Sequence, residues 1–149
     1  MKHVPADFAL DWRFTDPQYN RLPAEDLGRI QPQSQENTRR LWDTYVSNRH
    51  SHITGFESDE LPPHHAFRTD WNAKELSRQR IARQIPIAED EEVLFFWSPS
   101  NSVLVDWGTV IKYWDDFFYP SDDNTVVVVP RRGYRFFYSD ESFLLPDQR

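Results

Sequence analysis

Residues 125–129 read Thr-Val-Val-Val-Val, five β-branched residues in succession. Branching at Cβ crowds a helix and suits a pleated strand, so the run is predicted to be a strand. It is apolar enough along its whole length that neither face tolerates water, which places it at the centre of a sheet covered on both sides. A strand of this kind needs apolar neighbours beside it and apolar layers above and below. The surrounding stretch, residues 93–145, supplies them, with 14 of the chain's 23 aromatic residues.

Further strands follow from local pattern. Residues 93–97 form an apolar run closed by Ser98-Pro99-Ser100-Asn101, a cluster of turn residues, and read as a buried strand. Residues 103–105 fold back on it as a short second strand. Tyr134, Phe136 and Tyr138 alternate beyond the turn at Pro130-Arg131-Arg132-Gly133, as a strand demands. Residues 142–145 form a last strand, ended by Pro146. Between these strands, Trp107, Val110, Ile111, Trp114 and Phe118 recur at helical spacing. They mark one face of a helix over 107–118, with Asp106 as its N-cap. Pro120 stops that helix, and Ser121-Asp122-Asp123-Asn124 turns the chain.

The first 92 residues are more helical. Phe8, Leu10, Trp12 and Phe14 alternate, which predicts a first strand or an extended segment on the core. Residues 22–27 read as one helical turn with Pro23 near its start. Ser34 caps a helix over 34–48 whose apolar stripe is Leu41, Trp42, Tyr45 and Val46. Residues 49–69, with Gly55, Pro62 and Pro63, read as a long irregular loop. Asn72 and Glu75 have capping-box spacing, so a helix is predicted over 73–84 with Leu76, Ile81 and Ile85 inward. The fold class is therefore α+β. Its sheet is mainly antiparallel, of four to five strands (93–97, 103–105, 125–129, 134–138, 142–145). The 107–118 helix is embedded in it, and helices 34–48 and 73–84 pack on it. At 149 residues, a single domain over 1–149 is expected.

Charge and composition exclude several classes. A net charge of −7 disfavours nonspecific binding to nucleic acid or to anionic membrane. With no cysteine, the chain has neither disulfides nor thiolate chemistry, which suits a reducing cytoplasm. No run approaches the roughly 20 apolar residues of a membrane span, and residues 1–7 lack the apolar stretch of a secretory signal. A soluble, cytoplasmic protein is expected.

Two residue groups are candidates for chemistry. His50 and His52, with His64 and His65, lie in or beside the 49–69 loop, and neutral imidazole is a common metal ligand. Their spacing fits no zinc pattern, so solvated loop histidines are expected, with neither metal nor cofactor. Asp115-Asp116 and Asp122-Asp123 form the second group. Paired acids suit divalent cations or general acid–base work, but Asp122-Asp123-Asn124 is also ordinary turn chemistry. An acidic pair late in a helix opposes the macrodipole, so helix stability does not explain Asp115 and Asp116. There is no G-x-S-x-G elbow, and the four glycines are too scattered for a phosphate-cradling loop.

Phe95-Phe96-Trp97-Ser98-Pro99, Val105-Asp106-Trp107-Gly108, Lys112-Tyr113-Trp114-Asp115-Asp116-Phe117, Pro120-Ser121-Asp122-Asp123-Asn124 and Phe137-Tyr138-Ser139-Asp140 form a recurring kind of block. Over residues 93–144 the chain resembles small uncharacterised bacterial families, and similar blocks occur in acidic immunity proteins of polymorphic toxin systems. The resemblance implies a non-enzymatic protein that binds and blocks a cognate toxin. It supplies no catalytic residue.

Three readings follow. The first is an acidic, non-enzymatic protein-binding module whose partner is a basic toxin or nuclease. Its expected face comprises Asp115, Asp116, Asp122 and Asp123, on the exposed side of the helix and its loop, beside Tyr113 and Tyr119. The second is a metal-dependent hydrolase joining His50, His52, His64 and His65 to Asp122 and Asp123. The third is a regulatory or scaffold protein.

Overall fold

The computed structural model describes Met1 and residues 4–147. Its elements in chain order begin with α1 (Trp12–Thr15), α2 (Ala24–Leu27), β1 (Gln31–Pro32) and α3 (Gln35–Tyr45). A short 3-10 turn at Ile53–Gly55 precedes β2 (His64–Arg68) and α4 (Lys74–Gln84). Then come β3 (Glu92–Ser98), β4 (Asn101–Asp106), α5 (Trp107–Lys112), α6 (Trp114–Phe117), β5 (Thr125–Val129), β6 (Tyr134–Ser139) and β7 (Ser142–Pro146). The fold is α+β.

The strands form one seven-stranded sheet in the order β1-β4-β3-β5-β6-β7-β2. Every pairing is antiparallel. β5 occupies the middle of that order, and all five of its residues are buried, as an uninterrupted β-branched run requires. Alternate side chains serve opposite faces. Val127 and Val129 join Val93, Phe95, Trp97, Phe136, Tyr138 and Phe143 in one core. Val126 and Val128 join Leu94, Phe96 and Phe137 in the other. The first core is roofed by Phe8 and Phe14 from the N-terminal segment, Ile81 of α4, Trp107 and Val110 of α5, and Trp114 and Phe117 of α6. The second is roofed by Trp42 and Val46 of α3 and by Ile53 and Phe56 of the loop after it.

The five expected strands are all present, but the sheet has seven. The two added strands are its edges. β1 contributes only two residues, and β2 pairs five of its residues with β7 inside the stretch expected to be irregular loop. In β2 only Phe67 is buried. An edge strand is held by backbone hydrogen bonds and shows no apolar alternation, so its sequence looks like loop.

Other local expectations were corrected. The alternation at residues 8–14 does not form a strand. The chain turns at α1, and Arg13, on the supposedly polar side, is buried. The helix over 107–118 is two pieces broken at Tyr113, whose φ of −118° and ψ of 37° leave the helical region. The apolar stripe itself holds, since Trp107, Val110, Ile111, Trp114 and Phe118 are all buried. Phe118, however, is extended, and the break lets Phe117 and Phe118 both enter the core. In α4 the capping box at Asn72 and Glu75 does not form. Ala73 is the N-cap residue, and the Ser77 hydroxyl links to both backbone groups of Asp70. Leu76 points to solvent at 68 % exposure, while Ser77 and Ile81 face inward.

The caps at Ser34 and Asp106 form as expected. Each side chain accepts from a backbone N–H three residues on, from Asn37 and Thr109 respectively. The β6–β7 hairpin closes through Asp140 and Glu141, with φ values of 49° and 68°. Two successive left-handed residues in a two-residue loop match the twist of the strands they join.

Candidate functional site

Where the N-terminal segment meets α6, a cleft of about 650 Å³ opens to solvent. Its walls are aromatic: Tyr19 and Trp71 with Tyr119. Trp71 stands edge-on to Trp114 at 5.5 Å and to Tyr119 at 6.1 Å, and Tyr19 leans on Trp12 at 4.9 Å. Asp115, Asp116, Lys74 and Asn20 supply its polar groups.

The tertiary structure separates the four candidate aspartates. Asp115 is half-buried and pairs with Lys74 Nζ at 3.2 Å. Asp116, expected on the exposed side, is instead buried, and Asn20 Nδ2 donates to its Oδ2 at 2.7 Å. Burial pushes the Asp116 carboxyl up to about 6. The Asn20 hydrogen bond opposes the rise, the Asp115 charge adds to it, and the Lys74 and Arg13 charges oppose it.

Asp122 is also taken inward. Its two oxygens accept from the Arg13 guanidinium at 2.7 and 3.0 Å, and Oδ2 accepts from the Tyr119 backbone N–H at 2.9 Å. The guanidinium stacks 4.0 Å from the Tyr119 ring centre and 5.3 Å from that of Trp97. This ion pair ties α1 to the loop after α6. Asp123 alone remains exposed, 3.4 Å from His52 Nε2.

The two tyrosines expected beside an exposed face are half-buried. Burial raises the Tyr119 phenol to about 12. Tyr113 lies away from the cleft, and its hydroxyl donates to Asp26, which also accepts from Lys112 Nζ at 3.1 Å. The Tyr113 and Lys112 hydrogen bonds hold the Asp26 carboxyl below its ordinary value. Asp26 and Lys112 line a larger groove of about 890 Å³ together with Arg29, Arg78, Glu89 and Asp90. Its charges are of both signs, and among the described residues no aromatic ring lines it.

The histidines do not gather. His50 Nδ1 meets Glu60 Oε1 at 2.7 Å, and His52 Nδ1 meets the Thr54 hydroxyl at 3.0 Å. His64 and His65 stand exposed on edge strand β2, with His65 Nδ1 3.1 Å from Asp147. Among the described residues no three histidine, aspartate or glutamate side chains converge as metal ligands. Glu60 is a structural hub of its loop. Burial would raise its pKa, but hydrogen bonds from Ser47, the Glu57 N–H and His50, with the Arg49 charge, outweigh burial and hold it at about 2.

Sequence reasoning missed Tyr19, Asn20, Trp71, Lys74 and Arg13. Each comes from a segment remote from α6, and Asn20 and Asp116 are 96 positions apart. The one local signal was Trp71, a tryptophan standing in an otherwise polar stretch.

Fold and cleft together define an α+β protein with a doubly covered antiparallel sheet and an aromatic-walled acidic cleft. The family described as "Protein of unknown function (DUF2947)" matches residues 5–145, and the chain belongs to that family. No curated protein and no solved structure gives a significant match. Among the described residues, no helix is long and apolar enough to cross a membrane.

Proposed function

We propose that this protein is a non-enzymatic protein-binding module that docks a basic partner on the α6 side of the molecule, in the manner of an immunity protein neutralising a toxin. The observation that carries the reading is the cleft. Exposed or half-exposed aromatic rings with charged groups around them have the composition of an interface hot spot and its rim. Tyr19, at 51 % exposure, is one of the largest apolar side chains left open to water. The net charge of −7 favours encounter with a basic protein. The resemblance of residues 93–144 to immunity proteins supports a toxin or nuclease as that partner.

The test is capture at low salt on the tagged protein, alongside the Tyr19→Ala and Asp116→Asn variants. A basic partner should be retained by the wild type, lost from both variants and released as salt rises. Its expression alone should arrest growth, and co-expression of this chain should restore it. A partner held equally by wild type and variants, or one that leaves growth unaffected, refutes the reading.

A further inference from the structure

Three carboxylates surround the aromatic rings of this region, and two of them already share one recognition pattern. Asp122 binds the Arg13 guanidinium through both oxygens while that guanidinium lies 4.0 Å from the Tyr119 ring centre. Asp115 binds Lys74 Nζ while that ammonium lies 5.3 Å from the Trp71 ring centre. In both, a cation sits between a carboxylate and a ring face, a geometry that combines ion pairing with cation–π attraction. The third carboxylate, Asp116, lines the cleft beside Tyr19 and Tyr119. It has no cation within ion-pairing distance among the described residues. Asn20 satisfies its Oδ2, and Oδ1 has no hydrogen-bond partner among the described residues. That oxygen is not closed off from water, so a largely buried carboxylate keeps one oxygen open for an incoming donor.

We infer that the cleft is a receptor for a guanidinium group, and that it takes the side chain of an arginine presented by the partner protein, held between Asp116 and the Tyr19 and Tyr119 rings. This rests on the protein-binding reading above and names the group that is bound. Arginine fits better than lysine for two reasons. A planar guanidinium stacks on rings and offers paired donors to a carboxylate. It is also more weakly hydrated than an ammonium, so entering a partly enclosed cleft costs it less. The charges facing Asp116 are Asp115 from α6, Lys74 from α4 and Arg13 from α1. Lys74 is answered by Asp115, and Arg13 by Asp122, so the incoming cation meets one uncompensated carboxylate.

The probe is N-acetyl-arginine amide, an arginine without terminal charges, titrated into the full chain. Binding is read from the NMR signals of the Asn20 side-chain amide and the Trp71 indole N–H. Saturable shifts of both are expected at pH 7.5. Binding should weaken at least tenfold for the citrulline analogue, which has the same shape without the charge, and severalfold for the lysine analogue. Free arginine, whose carboxylate would approach Asp115, should bind more weakly than the amide. Asp116→Asn should weaken binding at least tenfold, and lowering the pH from 7.5 to 5 should act in the same direction because Asp116 gains a proton. Tyr19→Ala should weaken binding severalfold while the variant still folds. Citrulline binding as well as arginine, lysine binding as well as arginine, or an Asp116→Asn variant with undiminished affinity overturns the assignment. Tighter binding of free arginine than of the amide also overturns it, and indicates a small metabolite instead of a protein side chain. If the titration fails while partner capture still depends on Tyr19 and Asp116, the guanidinium assignment falls and the protein-binding reading stands.

Discussion

Replacing Asp116 with asparagine should stabilise the protein, and the gain should depend on pH. The carboxyl is buried and its pKa stands at about 6 against an ordinary 3.8. At roughly 1.4 kcal/mol per pKa unit, keeping it ionised costs the folded state about 3 kcal/mol above pH 7. The sign follows from linkage. Between about pH 4 and 6 the folded chain binds more protons than the unfolded one, so stability falls as pH rises through that window. Above it the full cost is present, and below it both states are protonated and the cost is gone. Asparagine has the same shape and can still accept from Asn20 Nδ2, while its added N–H donors must find water in the cleft. The expected gain is therefore about 1–3 kcal/mol at pH 8, with each kcal/mol worth roughly 2–4 °C in melting temperature. It should shrink towards zero at pH 4. Urea unfolding of wild type and variant at pH 4, 6 and 8 measures this directly. An Asp116→Asn protein that is less stable than wild type at pH 8, or that differs by the same amount at every pH, refutes the electrostatic account. A charge retained at such a cost also marks the residue as a candidate for function.

Three further outcomes are expected. Asp122→Ala leaves the buried Arg13 guanidinium without its partner and should cost about 3–5 kcal/mol. Changing Arg13 to methionine as well should recover part of that loss, and purely additive costs in the double-mutant cycle would show that the pair is not coupled. Trp114→Ala removes a ring that is 2 % exposed and whose indole N–H donates to the Lys74 carbonyl at 3.1 Å. It should cost about 3–5 kcal/mol, and a melting point within a degree or two of wild type would contradict the packing of α6. In α4, Leu76→Ala should change stability by less than about 0.5 kcal/mol, whereas Ile81→Ala should cost about 2–5 kcal/mol. The reverse order, read by urea unfolding, would mean that the helix presents a different face to the core.

Much of the sheet and part of the helical layer are legible in local pattern. The β-branched run at 125–129 and the apolar run at 93–97 become buried strands, because a strand flanked by apolar layers must be apolar itself, and the alternation at 134–138 becomes a strand buried at Phe136, Phe137 and Tyr138. Ser34 and Asp106 cap their helices because a cap is a contact three residues long. The stripe from Trp107 to Phe118 faces the core for the same local reason. Even there, the break at Tyr113 left no trace in the spacing. It accompanies a hydroxyl contact with Asp26, 87 positions away.

What pattern alone could not settle depends on distant partners. β1 and β2 become strands because β4 and β7 offer them backbone edges, and backbone pairing leaves no side-chain signature. Leu76 is exposed because α4 turns Ser77 and Ile81 towards the core, a choice made by packing and not by hydrophobicity. The acidic pairs show the same division most sharply. Asp115-Asp116 and Asp122-Asp123 look alike in composition, yet their four carboxylates meet Lys74, Asn20, Arg13 and His52 respectively. Local sequence sets how polar a residue is. Which charge answers it, and how much water it keeps, is set by chain segments brought together only when the protein folds.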